Sequence, residues 1–479
     1  MIDYISLTGG RVLKKTYSNK ILFYSLLFVF IFSNVICYGA LTKGRIESEE
    51  KGYFIYIIWD AFRYDYYEWA NSGQNPGTPA LNELIENGVL FTNASTGIPS
   101  ITNPMQAVLV TGAYPRTTGN IYRYFDKEDQ IVKQTRRDNS AETLAEAASK
   151  QGLKVASVQQ FMVQDRGTSY DDPSHLYIQP SGSFQKRVDE SIKILKGQPV
   201  VTQGDTEVVF EGIPDIMFIY SDDLDTVGHN EKPSYGYYDS IPADSEEERI
   251  ERCVEVLIQM DSELTRLIDT LKEIGIYEKT SFVIAADHGM TPYSGTSSLN
   301  DLIEILENCL EALGHRVNND TVVFLAKDQV ANEANKIVIV SVGLQAQIYL
   351  NWDFTQEEYD FIVNELKSSL YSEFIGGVLT FDELQARGSH PKTGDMLVWP
   401  KPPHHFKSST SNYNARGGHD TIDESSQHVF LLMSGAGFKK GTTINKKVYN
   451  WDIVPTISKV LKIEPPENAD GKVVIEAIQ

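Results

Sequence analysis

The stretch Tyr53-Phe54-Ile55-Tyr56-Ile57-Ile58-Trp59-Asp60 decides the fold class. It is an unbroken apolar run rich in aromatic and β-branched residues. That is the pattern of a strand buried on both faces, as in a parallel sheet. The run stops on an acid. In open α/β sheets ligands bind beyond the carboxyl ends of strands, so Asp60 reads as a site candidate as well as a helix-capping aspartate.

Two further runs repeat the arrangement. Ile216-Met217-Phe218-Ile219-Tyr220 leads into Ser221-Asp222-Asp223-Leu224-Asp225-Thr226-Val227-Gly228-His229, where a loop could turn Asp225 and His229 onto one ion. Ser281-Phe282-Val283-Ile284-Ala285-Ala286 ends in Asp287-His288-Gly289-Met290, with a glycine that permits close approach. Helical patterns alternate with these strands. Residues 78–87 read as a capped helix with Ala80, Leu81, Leu84 and Ile85 on its apolar face, followed by a short strand over 88–92. A helix is expected over 141–151 and a strand over 153–158. A long amphipathic helix covers 246–274, with Val254, Leu257, Leu264, Leu267, Ile268 and Leu271 facing the core and Gly275 closing it. Asp261, near that stripe, reads as a structural carboxylate. Residues 173–212 are polar and read as irregular, on the surface or over the site. The alternation predicts an α/β fold with a doubly wound, mostly parallel central sheet and helices on both faces.

Ser100 to Pro115 reads as a turn followed by a helix. Pro104 fixes the helix start, the run Ala107 to Val110 buries, and Thr111-Gly112 with Pro115 ends the segment. Thr102 thus stands at a helix N-terminus. An N-cap role is the structural reading. The chemical one is that unpaired backbone N–H groups and the helix dipole stabilise an anion or an alkoxide there.

Residues 291–405 break the rhythm and read as an inserted α+β cap forming one wall of a substrate cleft. A helix is expected over 299–313, a strand pair across 336–350 and a helix over 355–371. His390, His404 and His405 fall in polar loops and read as solvated. The chain then returns to the core. Ala415-Arg416-Gly417-Gly418-His419-Asp420 is a glycine-rich loop presenting a histidine, 429–433 is a strand, and 451–461 is a helix with Pro455 in its first turn.

The 479 residues carry a formal net charge of -22, which argues against a nucleic-acid duplex partner, because phosphate backbones need lysine and arginine. A small anionic substrate remains open, since metal ions supply local positive charge. Of three cysteines, Cys37 lies in an apolar N-terminal segment, while Cys253 and Cys309 fall in helical patterns and read as buried thiols rather than a disulfide. No Cys-x-x-Cys occurs, so a metal would take histidine and carboxylate ligands. Residues 1–20 form a basic tail with Arg11, Lys14, Lys15 and Lys20, and 21–41 form a signal peptide or membrane anchor. The positive flank stays in the cytosol and the rest is exported, to be secreted, periplasmic or held at the membrane. Residues 42–52 are a linker, 53–290 the first part of the core and 406–479 its closing part.

Asp60, Thr102, Asp225, His229, Asp287, His288 and His419 all lie at strand ends, turn starts or glycine-rich loops. Three aspartates, three histidines and one hydroxyl make the inventory for two divalent ions, zinc by ligand type, bridged by an activated nucleophile.

The order strand-Asp, Thr-x-Pro with Val-Thr-Gly-x-Tyr-Pro, Asp-x-x-x-His with glycine before the histidine, Asp-His-Gly-Met and Gly-Gly-His resembles the alkaline phosphatase superfamily. Within it, the type I phosphodiesterase/nucleotide pyrophosphatases are most similar, over residues 53–290 and 412–475. The segment 437–441 and the helix carrying Asp452-Ile453-Val454-Pro455-Thr456 also look like the closing part of that fold. The resemblance implies one zinc ion on Asp225, His229 and His419 and a second on Asp60, Asp287 and His288. Thr102 would be the nucleophile at the metal, forming a covalent phosphothreonine that is then hydrolysed. It implies a small phosphate ester or nucleotide-like substrate. Where that family carries Asn-His after Thr-x-Pro, this chain has Met105 and Gln106, and Asn103 or Gln106 is the candidate replacement donor. Thr102-Asn103-Pro104 is also similar to phosphonoacetate hydrolases. The alternatives are a phosphonate hydrolase, a phosphomonoesterase or a sulfatase of the same superfamily, although the sulfatase nucleophile motif is absent. A non-catalytic binding ectodomain is the alternative of another class, and it would have no need of a nucleophile.

Overall fold

The buried runs are the middle of one sheet in the computed structural model, which describes residues 52–231, 242–408 and 415–479. The basic tail, the apolar segment with Cys37 and nearly all of the linker lie outside the described residues. The main strands are β1 (Tyr53–Trp59), β2 (Gly88–Ser95), β3 (Val155–Val158), β4 (His175–Ile178), β5 (Ile216–Ser221), β6 (Thr280–Ala285), β7 (His428–Gly435) and β8 (Thr442–Ile444). They stand in the order β8-β2-β7-β6-β1-β5-β3-β4. From β6 to β4 every neighbouring pair is parallel, and β7 alone in this order runs against its neighbours β6 and β2.

The register explains why the acids meet. Ile58 lies beside Ala285, and Trp59 beside Ser221. Three parallel strands therefore release the chain at the same edge of the sheet, and the next few residues of each share one crevice. Phe54 to Trp59, with no polar position, are buried throughout.

Helices pack in two groups, as a sheet covered on both faces requires. Glu246–Glu273 packs against Tyr64–Ala70, Pro79–Glu86, Phe184–Leu195 and Asp223–His229. Thr102–Thr111 packs against Pro115–Thr118, Leu144–Lys150 and Ile453–Leu461. Tyr56 of β1 donates its hydroxyl proton to the Leu109 carbonyl at 3.0 Å, tying the Thr102 helix to the sheet.

Several expectations change. Residues 173–212 are not irregular: they contain β4 and the helix Phe184–Leu195, whose Phe184, Val188, Ile194 and Leu195 are buried. Its apolar positions are diluted by Gln185, Lys186, Arg187 and Asp189, so the helical period was masked by charge. The helix expected over 141–151 is Leu144–Lys150, started by a Thr143/Glu146 capping box. The helix expected over 355–371 is Gln356–Leu366, started the same way by Thr355 and Glu358, with a separate turn of 3₁₀ helix after it. β2 runs on to Ser95 because it pairs with β7 along that length. Thr78 does not cap Pro79–Glu86; Asp261 does so from another helix, accepting from Ala80 N at 3.0 Å and Leu81 N at 2.8 Å.

The insert builds a sheet of its own from Val322–Phe324, Ile337–Val342, Gln345–Leu350, Met396–Pro400 and Ile375–Thr380, in that order. Helices Leu299–Ala312 and Gln356–Leu366 close a second apolar core that includes Leu306, Ile339, Ile348 and Ile362. Insert and main sheet belong to one compact unit, Gly52–Gln479. Cys253 and Cys309 are buried free thiols. Among the described residues, no helix is long and apolar enough to cross a membrane.

Candidate active site

Asp60 directly follows β1, and Asp287 and His288 come two and three residues after the paired strand β6. The three are almost wholly buried. Each carboxylate is oriented by a partner. Asp60 Oδ2 accepts from the Tyr220 hydroxyl at 2.6 Å. Asp287 Oδ1 accepts from Ala61 N at 3.2 Å and His288 N at 2.9 Å, and its Oδ2 accepts from Gln106 Nε2 at 2.9 Å. Gln106 is itself held by Gln160, whose Nε2 donates to Gln106 Oε1 at 2.7 Å. Gln106 thus spends one amide N–H on Asp287 and its oxygen on Gln160. Tyr220 and Gln106 are positioning residues that the strand and helix patterns did not reveal. The available signal was a hydroxyl and an amide standing next to site elements.

Asp225 and His229 lie on a short helix, Asp223–His229, rather than in a loop. At a spacing of four residues they share one helix face. The helix is stabilised by tertiary packing: Gly228 lies under Met290, whose Cε would be 3.0 Å from an added Cβ. His419 follows Arg416–Gly418, which pairs antiparallel with Thr291–Tyr293 just beyond His288. That ribbon brings the last histidine across 130 residues of chain. The hairpin turn of the insert rests on it, with Leu344 N donating to His419 O at 3.1 Å. Gly343 has a φ of 58°, and a Cβ there would stand 2.1 Å from His419 O, so the close approach demands glycine.

Thr102 is the first residue of its helix, with Ile101 as N-cap, so the N-cap reading of Thr102 does not hold. Its Oγ1 lies 3.2 Å from His288 Nε2. The His288 ring stacks on His419 with centroids 3.9 Å apart, and His229 stands 5.1 Å from His419. All seven candidates therefore converge.

The proton positions follow from the partners. A carbonyl only accepts, so His288 Nδ1 donates to Gly289 O at 2.9 Å and His229 Nδ1 to Gly417 O at 2.9 Å. This leaves Nε2 of each neutral ring as a lone pair. Yet His288 Nε2 faces Asp60 Oδ1 at 3.3 Å, and His229 Nε2 faces Asp225 Oδ1 at 3.3 Å. His419 Nε2 approaches the same Asp225 oxygen at 3.8 Å. Acceptors facing acceptors repel unless a proton or a metal cation lies between them. Ligand atoms sharing a tetrahedral zinc ion stand about 3.4 Å apart. Asp60 Oδ1, Asp225 Oδ1 and His419 Nδ1 are buried without a hydrogen-bond partner among the described residues, which is costly in a metal-free site.

Burial first, then the charges of Asp287 and Asp225, push the Asp60 carboxyl well above its usual range. Burial, then His288, pushes His419 well below its usual value. Burial acts to raise Asp225 too, but positive charge on the surrounding rings, His229 first and then His419 and His288, holds that carboxyl low. Two sets could each grip an ion: Asp60, Asp287 and His288, and Asp225, His288 and His419, each with ligand atoms within 4.8 Å of one another. His288 is within reach of both.

The other candidate histidines stay apart from these sets. His405 is fully buried, not solvated: its Nε2 donates to Gly295 O at 3.2 Å and its ring stands edge-on to Tyr293. His404 Nδ1 pairs with the Ser298 hydroxyl at 3.2 Å, and His390 Nδ1 accepts from Lys392 N at 3.1 Å.

A family model described as type I phosphodiesterase/nucleotide pyrophosphatase matches residues 54–419. The chain is 21% identical over 324 residues to ectonucleotide pyrophosphatase/phosphodiesterase family member 7 of Rattus norvegicus, covering 66% of this chain and 65% of that protein. It is 25% identical over 299 residues to bis(5'-adenosyl)-triphosphatase ENPP4 of Bos taurus, covering 60% and 56%. The chain thus spans less than two thirds of the length of these relatives. Murine ectonucleotide pyrophosphatase/phosphodiesterase 5, solved in an inactive form in complex with AMP, shares the fold with a TM-score of 0.56 at 17% identity, over 87% of this chain and 96% of that one.

Proposed function

Because the chain belongs to the type I phosphodiesterase/nucleotide pyrophosphatase family, we propose that it is an exported hydrolase of phosphodiester or phosphoanhydride bonds in nucleotide-like molecules, with Thr102 as nucleophile and two zinc ions. Asp60, Asp287 and His288 would hold one ion, and Asp225, His229 and His419 the other. The observation that carries this reading is the pair of lone-pair contacts at 3.3 Å, one in each half of a buried centre, with the Thr102 hydroxyl 3.2 Å from His288 Nε2.

Two bound cations would lower the pKa of the attacking hydroxyl and neutralise the charge that develops on the phosphoryl oxygens. The chain supplies the rest. Thr102 sits in the first turn of its helix, where the dipole favours an alkoxide. Its hydroxyl proton passes to solvent as the Oγ–P bond forms, and the P–O bond to one arm breaks so that this arm departs as its alcohol or alkoxide, leaving a phosphothreonine ester. Water then displaces Thr102 by breaking the Oγ–P bond. Gly289 O and Gly417 O keep His288 and His229 protonated at Nδ1, so that Nε2 of each faces inward. Gln106 and Tyr220 stop Asp287 and Asp60 from swinging away. Export belongs to the same reading: the basic tail and the apolar run 21–41 would direct residues 53–479 across a membrane, with the run either cleaved or retained as anchor.

The test compares hydrolysis of bis(p-nitrophenyl) phosphate and p-nitrophenyl phosphate by the zinc-loaded full chain and its Thr102→Ala variant. A diester preference that falls by about 10³-fold or more in the variant, with metal content retained, is the expected result. Preference for the monoester would make the protein a phosphatase, and an unchanged rate in the variant would exclude Thr102.

A further inference from the structure

A cleft of about 300 Å³ adjoins the acid–histidine centre, with His229 and His419 in its wall beside Ile101, the residue before Thr102. Its far wall is the insert, through Phe324 and the turn at Gly343. The lining contains two cations, Arg123 and Lys407, and no carboxylate. In a chain of net charge -22 that composition calls for a cause.

Both cations are held in place without an acid. Arg123 opens a short hairpin strand, Arg123–Asp126, paired with Ile131–Gln134. Its guanidinium donates to Gln134 Oε1 at 3.2 and 3.4 Å and to the Ser341 carbonyl at 3.3 Å, and lies 5.3 Å from the Tyr122 ring centroid. These bonds use three of its five N–H groups and leave two free. Tyr122, just before it, has a φ of 60°, an uncommon and strained conformation for an aromatic residue that is kept beside the cleft. Lys407 Nζ donates to the Tyr293 hydroxyl at 3.1 Å and stands 4.7 Å from that ring's centroid. Phe406 N, donating to Leu344 O at 2.9 Å, fixes the backbone beneath it. Among the described residues, neither cation has a carboxylate within ion-pairing distance.

We propose that Arg123 and Lys407 are the receptor for a second anionic group, a phosphate, sulfate or carboxylate carried on an arm of the ester rather than on the reacting phosphorus. The planar fork of Arg123 and the point charge of Lys407 suit an oxyanion, and the half-buried setting strengthens each charge-assisted bond. Substrates with a charged arm are thereby favoured over diesters with two neutral arms. This rests on the hydrolytic reading of the adjoining centre and adds the substrate class to it.

The test uses four p-nitrophenyl diesters with a propyl second arm: unsubstituted, or ending in carboxylate, sulfonate or phosphate. The wild-type full chain is expected to turn over at least one charged-arm ester with kcat/KM above that of the propyl ester, and the best of the three identifies the anion. Arg123→Gln and, separately, Lys407→Gln should lower that charged-to-neutral ratio by about 10- to 100-fold each, while Arg123→Lys should retain part of it. A wild-type ratio of one or below, or a ratio unmoved by both glutamine variants, overturns the subsite. If no ester is turned over, the hydrolytic reading fails, and the subsite is judged by calorimetry alone. Tighter binding of 3-sulfopropyl phosphate than of propyl phosphate, lost in Arg123→Gln, would uphold it; equal affinity would overturn it.

Discussion

Asp60, Asp287 and His288 are 0 to 2% exposed at the ends of two paired strands, whereas Asp225, His229 and His419 retain 18, 28 and 11% exposure on a short helix and a two-stranded ribbon. The first set is fixed by the main sheet. Tyr220, Ala61 N and Gln106 each hold one of its carboxylate oxygens. The second set depends on long-range docking: His229 is oriented by Gly417 O, and the peptide of His419 is held by the turn of the insert. One half of the centre is therefore a property of the sheet, and the other is coupled to the wall of the cleft. A change in the insert should reach the second half first.

The largest contrast should come from the histidines. His288 lies within reach of both sets, so His288→Ala should remove most bound zinc and lower kcat/KM by about 10³-fold or more. His419→Ala should remove about one ion per chain and leave the strand-end ion in place. Elemental analysis of the purified variants checks both, and full occupancy in His419→Ala would break the division into two halves.

Gln106→Leu comes next. It strips Asp287 Oδ2 of its donor and leaves Gln160 Nε2 without its acceptor. Loss of such a supporting bond typically weakens metal affinity by about 10- to 100-fold, here at the strand-end ion, as zinc titration would show. Gly343→Ala sharpens the comparison from the other side. Its Cβ would press on His419 O, so affinity at the helix–ribbon ion should fall by about 10-fold while the strand-end ion is unaffected. Equal weakening at both ions would show that the halves are not separable.

The smallest effect concerns stability away from the site. Burial pushes Asp261 up to about 6, partly opposed by the Ala80 and Leu81 N–H groups. Its folded pKa lies above the unfolded value of about 3.9, so its contribution is fully present below about pH 4 and is lost as pH rises through about 6. Urea unfolding at several pH values should show the wild type losing stability against Asp261→Asn over that window, with activity little altered.

Much of this organisation was legible because strand burial and chemistry coincide. A strand such as Phe54–Trp59 has no polar position, so an acid at its end is conspicuous, and the parallel register then brings Asp60 beside the loop of Asp287 and His288. Asp225 and His229 were legible as a pair but not as a helix, because the local sequence, with Gly228 inside it, disfavours one and packing under Met290 overrides that preference. Tyr220 looked like a core residue and Gln106 like a phosphoryl donor, since their positioning roles depend on atoms 160 and 181 positions away. His405 read as solvated because nothing local shows that Tyr293 and Gly295 enclose it. The helix Phe184–Leu195 was hidden by the charged residues between its buried positions.

The most direct test of hydrolysis through Thr102 is to trap the intermediate. The zinc-loaded full chain is mixed with bis(p-nitrophenyl) phosphate, quenched with acid during turnover, digested and analysed by mass spectrometry. The expected result is a p-nitrophenyl phosphoryl group on the peptide containing Thr102, appearing and decaying at rates that account for turnover, and absent in Thr102→Ala. Full turnover with Thr102 unmodified at every quench time, or with the adduct on another residue, would contradict it.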